Sequence, residues 1–94
     1  MAEYKAGRLV KSLAGHDRGR LFIIVREEAE YVYLADGRTR TAAKPKRKKK
    51  KHVQISRIGD EAIMEALTGG AAVTDEQIRY FIRCCMKEET NPGR

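Results

Sequence analysis

A small, mainly β fold, closed into a barrel and followed by a short helical segment, is what this chain predicts on three grounds. From Gly7 to about Ser56 the apolar residues come in short runs broken by turn residues, which marks strands rather than helices. From Gly59 onward the apolar spacing becomes helical. At 94 residues and 41% hydrophobic content the chain can bury one modest core but no large pocket. Short strands packed so closely in sequence bury enough apolar surface only if their sheet curls onto itself. The division expected is a barrel over residues 1–58 and a helical extension over residues 59–94.

Arg8 to Ala14 reads as the first strand, and Gly15-His16-Asp17-Arg18-Gly19 as a turn whose glycines supply the positive φ that other residues resist. Arg20 to Arg26, with Leu21-Phe22-Ile23-Ile24-Val25 inside it, is the strongest strand signal. Glu27 to Glu30 is a polar connection, and Glu30 to Ala35 a third strand ended by the turn dipeptide Asp36-Gly37. His52 to Ser56 alternates as a closing strand, so the run before it becomes a loop between strands. Ile63, Met64 and Leu67 then form a short helical patch that Gly69-Gly70 breaks. Thr74-Asp75-Glu76-Gln77 fits a capping box, and Ile78, Phe81, Ile82 and Cys85 follow at i, i+3, i+4 and i+7. That stripe must pack against the barrel or against a protein partner, and Asn91-Pro92-Gly93 ends the helix.

The run Lys44-Pro45-Lys46-Arg47-Lys48-Lys49-Lys50-Lys51 carries seven of the twenty Lys and Arg residues, while the other thirteen balance the thirteen acids. The formal charge of +7 is therefore concentrated there. Like charges at consecutive positions repel and bury nothing, so the run is expected to be a solvated, mobile loop until a polyanion neutralises it. Nucleic acid is the first polyanion to consider.

Gly7-Arg-Leu-Val10, Ala14-Gly15-His-Asp-Arg18-Gly19-Arg20 and the apolar strand after them resemble a KOW motif, a strand, loop and strand built around a glycine that follows a basic residue. The chain differs at Leu21 and Phe22, where most such motifs carry another glycine. It is more similar to the small bacterial KOW-domain RNA-binding proteins related to the SH3-like barrel proteins of the archaeal and eukaryotic large ribosomal subunit. The shared features are Ala35-Asp36-Gly37-Arg38, the Pro- and Lys-rich segment from Lys44 to Lys51, the strand start Lys51-His52-Val53-Gln54 and the helix start Thr74 to Arg79. The resemblance implies an SH3-like barrel and a non-enzymatic, ribosome-associated module of translation that binds RNA.

Candidate RNA contacts fall in three groups. Lys44, Lys46, Arg47, Lys48, Lys49, Lys50 and Lys51 would contact phosphates, releasing counterions with affinity that falls steeply with salt. The bland alternative is a solvated loop that only raises solubility. Lys11, His16, Arg18 and Arg20 would form a second basic face around Gly19, where RNA backbone could approach closely. Tyr31 and Tyr33, at i and i+2 on one strand face, could stack unpaired bases, although cross-strand packing is the commoner use of such a pair.

Other classes are disfavoured. Pro45 to Lys51 would pass for a nuclear localisation signal, which the bacterial resemblance argues against. Adsorption to an anionic membrane needs an anchor that Met1-Ala2 does not offer, and no stretch approaches the ~18 apolar residues of a span, so a cytoplasmic protein is expected. Cys84 and Cys85 are adjacent, with neither disulfide-scaffold nor metal spacing, and Cys85 falls on the apolar stripe. His16 and His52 have no carboxylate at ligand spacing, and no nucleophile elbow, phosphate loop or acid–base pair is present, so neither metal, cofactor nor enzymatic activity is expected. The competing class is a protein-binding adaptor that uses the helix stripe.

Overall fold

Five strands and two helices make up the computed structural model, which describes residues 4–89. They are β1 (Arg8–Ser12), β2 (Leu21–Glu27), β3 (Tyr31–Ala35), β4 (Lys46–Lys49), β5 (Val53–Gly59), α1 (Glu61–Thr68) and α2 (Asp75–Glu89). The 3₁₀ turn Lys50–His52 joins β4 to β5. The expected helix stop at Asn91-Pro92-Gly93 lies outside the described residues.

All pairings are antiparallel in the order β4-β3-β2-β1-β5. The two edge strands, β4 and β5, do not pair with each other, so the sheet is open where a closed barrel was expected. Lys50 N–H donates to Glu30 O and Leu13 N–H to His52 O, each at 2.9 Å, which prolongs the β3–β4 and β1–β5 ladders past their strand ends, and Lys48 reaches the β1–β2 turn with its side chain.

Strand alternation distributes the apolar residues over both faces. Val10, Phe22, Ile24, Val32, Leu34 and Val53 fill the inner, concave face. Leu9, Ile23 and Ala35 on the outer face meet Ile63 of α1 and Ile78, Ile82 and Cys85 of α2. Because β2 is covered on both sides, Leu21 to Val25 is a continuous apolar run rather than an alternating one. Phe22, Ile23 and Ile24 are each no more than 1% exposed, and full burial of such a side chain is worth roughly 1.5–3 kcal/mol.

The helices start where their caps are. The Asp60 carboxylate accepts from Ala62 N–H at 2.8 Å. Gln77 N–H donates to Thr74 Oγ1 at 3.1 Å while Thr74 N–H donates to Gln77 Oε1 at 2.9 Å, the reciprocal capping box expected from the sequence. The stripe behind that cap docks in cis. Ile78, Ile82 and Cys85 are buried on the sheet and Phe81 is half-buried against them, so these residues are core and leave the adaptor reading without its surface.

Gly37 sets where α2 lands. Its φ of +76° favours glycine, and a Cβ there would run into Asp75 O and the Arg79 side chain. The contact is tied by Arg79 Nη1, which donates to Gly37 O at 2.6 Å, and by Ala42 N–H, which donates to Asp75 Oδ1 at 2.7 Å. Helix α2 is thereby pinned beside the end of β3.

Candidate nucleic-acid interface

The basic run is not a mobile loop. Four of its residues form β4, paired with β3 in the register Val32↔Lys48 and Tyr33↔Arg47. A strand sends successive side chains to opposite faces, so the charges divide. Lys48 points inward and is 8% exposed, its ammonium donating to Asp17 Oδ1 at 2.7 Å and to Ala14 O at 2.9 Å. Lys46 follows it inward, 3.2 Å from Asp17 Oδ2, as an ion pair without hydrogen-bond alignment. The Ser12 hydroxyl donates to Asp17 Oδ1 at 2.7 Å. Burial by itself would raise the Asp17 carboxyl, but Lys48, Ser12 and Lys46 more than offset it and hold the group well below its ordinary range. Lys46 and Lys48 are thus structural, contrary to the expectation that the whole run meets phosphate.

Lys50 is also engaged, 2.6 Å from Glu27 and over the Tyr4 ring at 5.0 Å. Lys44, Lys49 and Lys51 are exposed. Arg47 lies over the Tyr31 ring at 4.4 Å. Next to it, a bulge between Ile24 and Arg26 turns Arg26 onto the outer face, where its guanidinium covers Tyr33 at 4.2 Å. Tyr31 and Tyr33 do share one face, as expected. Their rings are half-buried beneath arginines, so each presents a guanidinium rather than an open aromatic platform.

The second expected group is partly assembled. Lys11, Gly19 and Arg20 line one cleft of about 500 Å³, whereas His16 and Arg18 are exposed at the hairpin turn outside its lining. Gly19 has φ +86°, as its turn setting predicts, and nothing lies within 4 Å of where a Cβ would stand, so its backbone is open to close approach. The cleft also holds Arg38, Arg79 and Arg83, none of which the sequence reading counted among the RNA contacts. A signal was present, because Arg38 follows the turn dipeptide Asp36-Gly37 directly and Arg79 and Arg83 stand four apart on α2, one flank away from the apolar stripe.

Five cations therefore face a single lining carboxylate, Asp36. That carboxylate is already committed, accepting from Arg38 N–H and Arg40 N–H at 2.9 Å each, from Thr39 Oγ1 at 2.8 Å and from Arg20 at 3.3 Å. Burial would raise its proton affinity, but these donors outweigh burial and lower it. Lys11, Arg38 and Arg83 have no acidic partner among the described residues. Leu21, Ile82 and Met86 complete the lining with apolar surface. Such a site attracts anions without any metal, and among the described residues no group of His, Cys, Asp and Glu could hold one. Cys84 is exposed and Cys85 buried, and neither forms a disulfide. No described helix is long and apolar enough to cross a membrane. No protein-family model matches the chain, and no curated protein matches its sequence.

Proposed function

We propose that this chain is an RNA-binding module of the SH3-like, KOW type, associated with the ribosome, and that it holds RNA phosphates at the cleft around Gly19. The observation that carries this reading is the gathering of Lys11, Arg20, Arg38, Arg79 and Arg83, from a strand, two loops and a helix, around one depression whose one carboxylate is already engaged by its own loop and Arg20. Cations drawn from such distant positions repel one another in the free protein, and a bound polyanion relieves that repulsion. Arg47, Lys49 and Lys51 extend the positive surface along β4 and the turn after it.

Two features favour the barrel class. Strand β5 returns to pair with β1 after a β1-to-β4 meander, so only a β4–β5 pairing separates this sheet from a closed barrel. Gly7, Gly15 and Gly19, which carry the KOW resemblance, all have positive φ. Ribosomal RNA is the target to which the resemblance points.

A salt titration of RNA binding tests the phosphate claim. Replacing Lys11, Arg38 and Arg83 by Ser is expected to weaken binding and to flatten the slope of log affinity against log salt by up to about 0.9 per lost contact. An unchanged slope would remove this cleft from the RNA interface. Co-migration of the protein with large subunits in a sucrose gradient tests the ribosomal part, and its absence from ribosomal fractions would reject it.

A further inference from the structure

We infer that the cleft takes an unpaired nucleotide, so that single-stranded or looped RNA is the ligand rather than a continuous duplex. This rests on the RNA-binding reading above. A duplex keeps its bases stacked and offers phosphates, for which cations on an open surface suffice. Here the cations rim a recess of about 500 Å³ whose lining, besides Gly19 and the committed carboxylate of Asp36, is the apolar Leu21, Ile82 and Met86. That volume is within the range of small-ligand sites. Apolar lining gains nothing from a phosphate and does gain from the face of a base.

Helix α2 carries the second half of the argument. Arg79 and Arg83 line the cleft and also a neighbouring depression that contains Tyr80. Tyr80 is 64% exposed, and no guanidinium of the described residues covers its ring, in contrast to Tyr31 and Tyr33. A strand crossing the helix would set one base in the recess, the linking phosphate between Arg79 and Arg83, and the next base on Tyr80. Arg79 spends one donor on Gly37 O, which fixes its side chain and leaves further guanidinium N–H groups for phosphate.

The test uses the full chain and a short fluorescein-labelled RNA, alone and annealed into a blunt duplex, measured by anisotropy at one salt concentration. The single strand is expected to bind at least about tenfold more tightly than the duplex, a modest share of what base stacking on an aromatic can supply. Tyr80→Ala and Met86→Ser are each expected to reduce that preference. Both positions are exposed, so the variants should keep the wild-type circular dichroism. Arg83→Glu should weaken both ligands. Equal or tighter binding of the duplex, or an unaltered preference in Tyr80→Ala, overturns the inference and leaves RNA binding intact. Failure of both RNAs to bind at low salt overturns the RNA-binding reading itself.

Discussion

The ammonium of Lys48, in the middle of the most basic stretch of the chain, is buried 2.7 Å from Asp17 Oδ1 in the turn between β1 and β2. A strand edge is thereby joined to a hairpin turn across the open seam of the sheet, and the same turn ends at Gly19, the edge of the cationic cleft. The segment expected to act on RNA directly acts in part by holding in place the turn that borders the cationic cleft.

Lys48→Ala should destabilise the fold by about 3–5 kcal/mol, because it leaves Asp17 buried with one partner fewer. Lys49→Ala and Lys51→Ala, at exposed positions, should each cost less than about 0.5 kcal/mol. Urea denaturation of the three variants measures this. Equal midpoints would show that the pair contributes nothing.

Acid should expose the same pairing. Asp17 and Asp36 both have carboxyls held below the ordinary range in the folded state, so the unfolded chain binds protons first as pH falls. The stability they contribute is fully present above the unfolded carboxylate value of about 3.9 and is lost as pH drops through their lower folded values. Urea midpoints should therefore decline steeply below about pH 4, and Asp36→Asn should decline less. Parallel curves for wild type and variant would contradict the assignment.

Gly19 and Gly37 separate backbone strain from crowding. Both have positive φ, but a Cβ at Gly19 meets open space and one at Gly37 meets α2. Gly19→Val should cost on the order of 1–3 kcal/mol from conformation alone. Gly37→Ala should cost more than Gly19→Ala and, by displacing Arg79, should also weaken the proposed RNA binding. Thermal melts with matched binding measurements test the pair, and the reverse ranking would refute it.

Ile78→Ala should cost about 2–5 kcal/mol, since Ile78 is fully buried between α2 and the sheet. Phe81→Ala, at a half-buried position, should cost less. A loss below about 1 kcal/mol at Ile78 would mean that α2 is not docked in cis and would restore the adaptor reading.

Local chemistry made much of this fold readable in one dimension. The strand runs, the positive-φ glycine turns, the Asp36-Gly37 turn, the Thr74–Gln77 cap and the α2 stripe each depend on residues within a few positions of one another, and each is present as the sequence predicts. Partnership across the chain was not readable. Seven basic residues within eight positions look like a solvated loop because nothing local can neutralise them, and it takes Asp17, 31 positions before Lys48, to hold β4 in place. The cleft has the same origin, since Arg38 and Arg79 come together only through Gly37, whose missing side chain lets α2 rest on the end of β3. Sequence determined which segments could be strands and helices and how much positive charge the protein carries. Tertiary structure decided which of those charges are buried as struts and which are left for an anion, because burial and pairing depend on distances that only the packed chain defines.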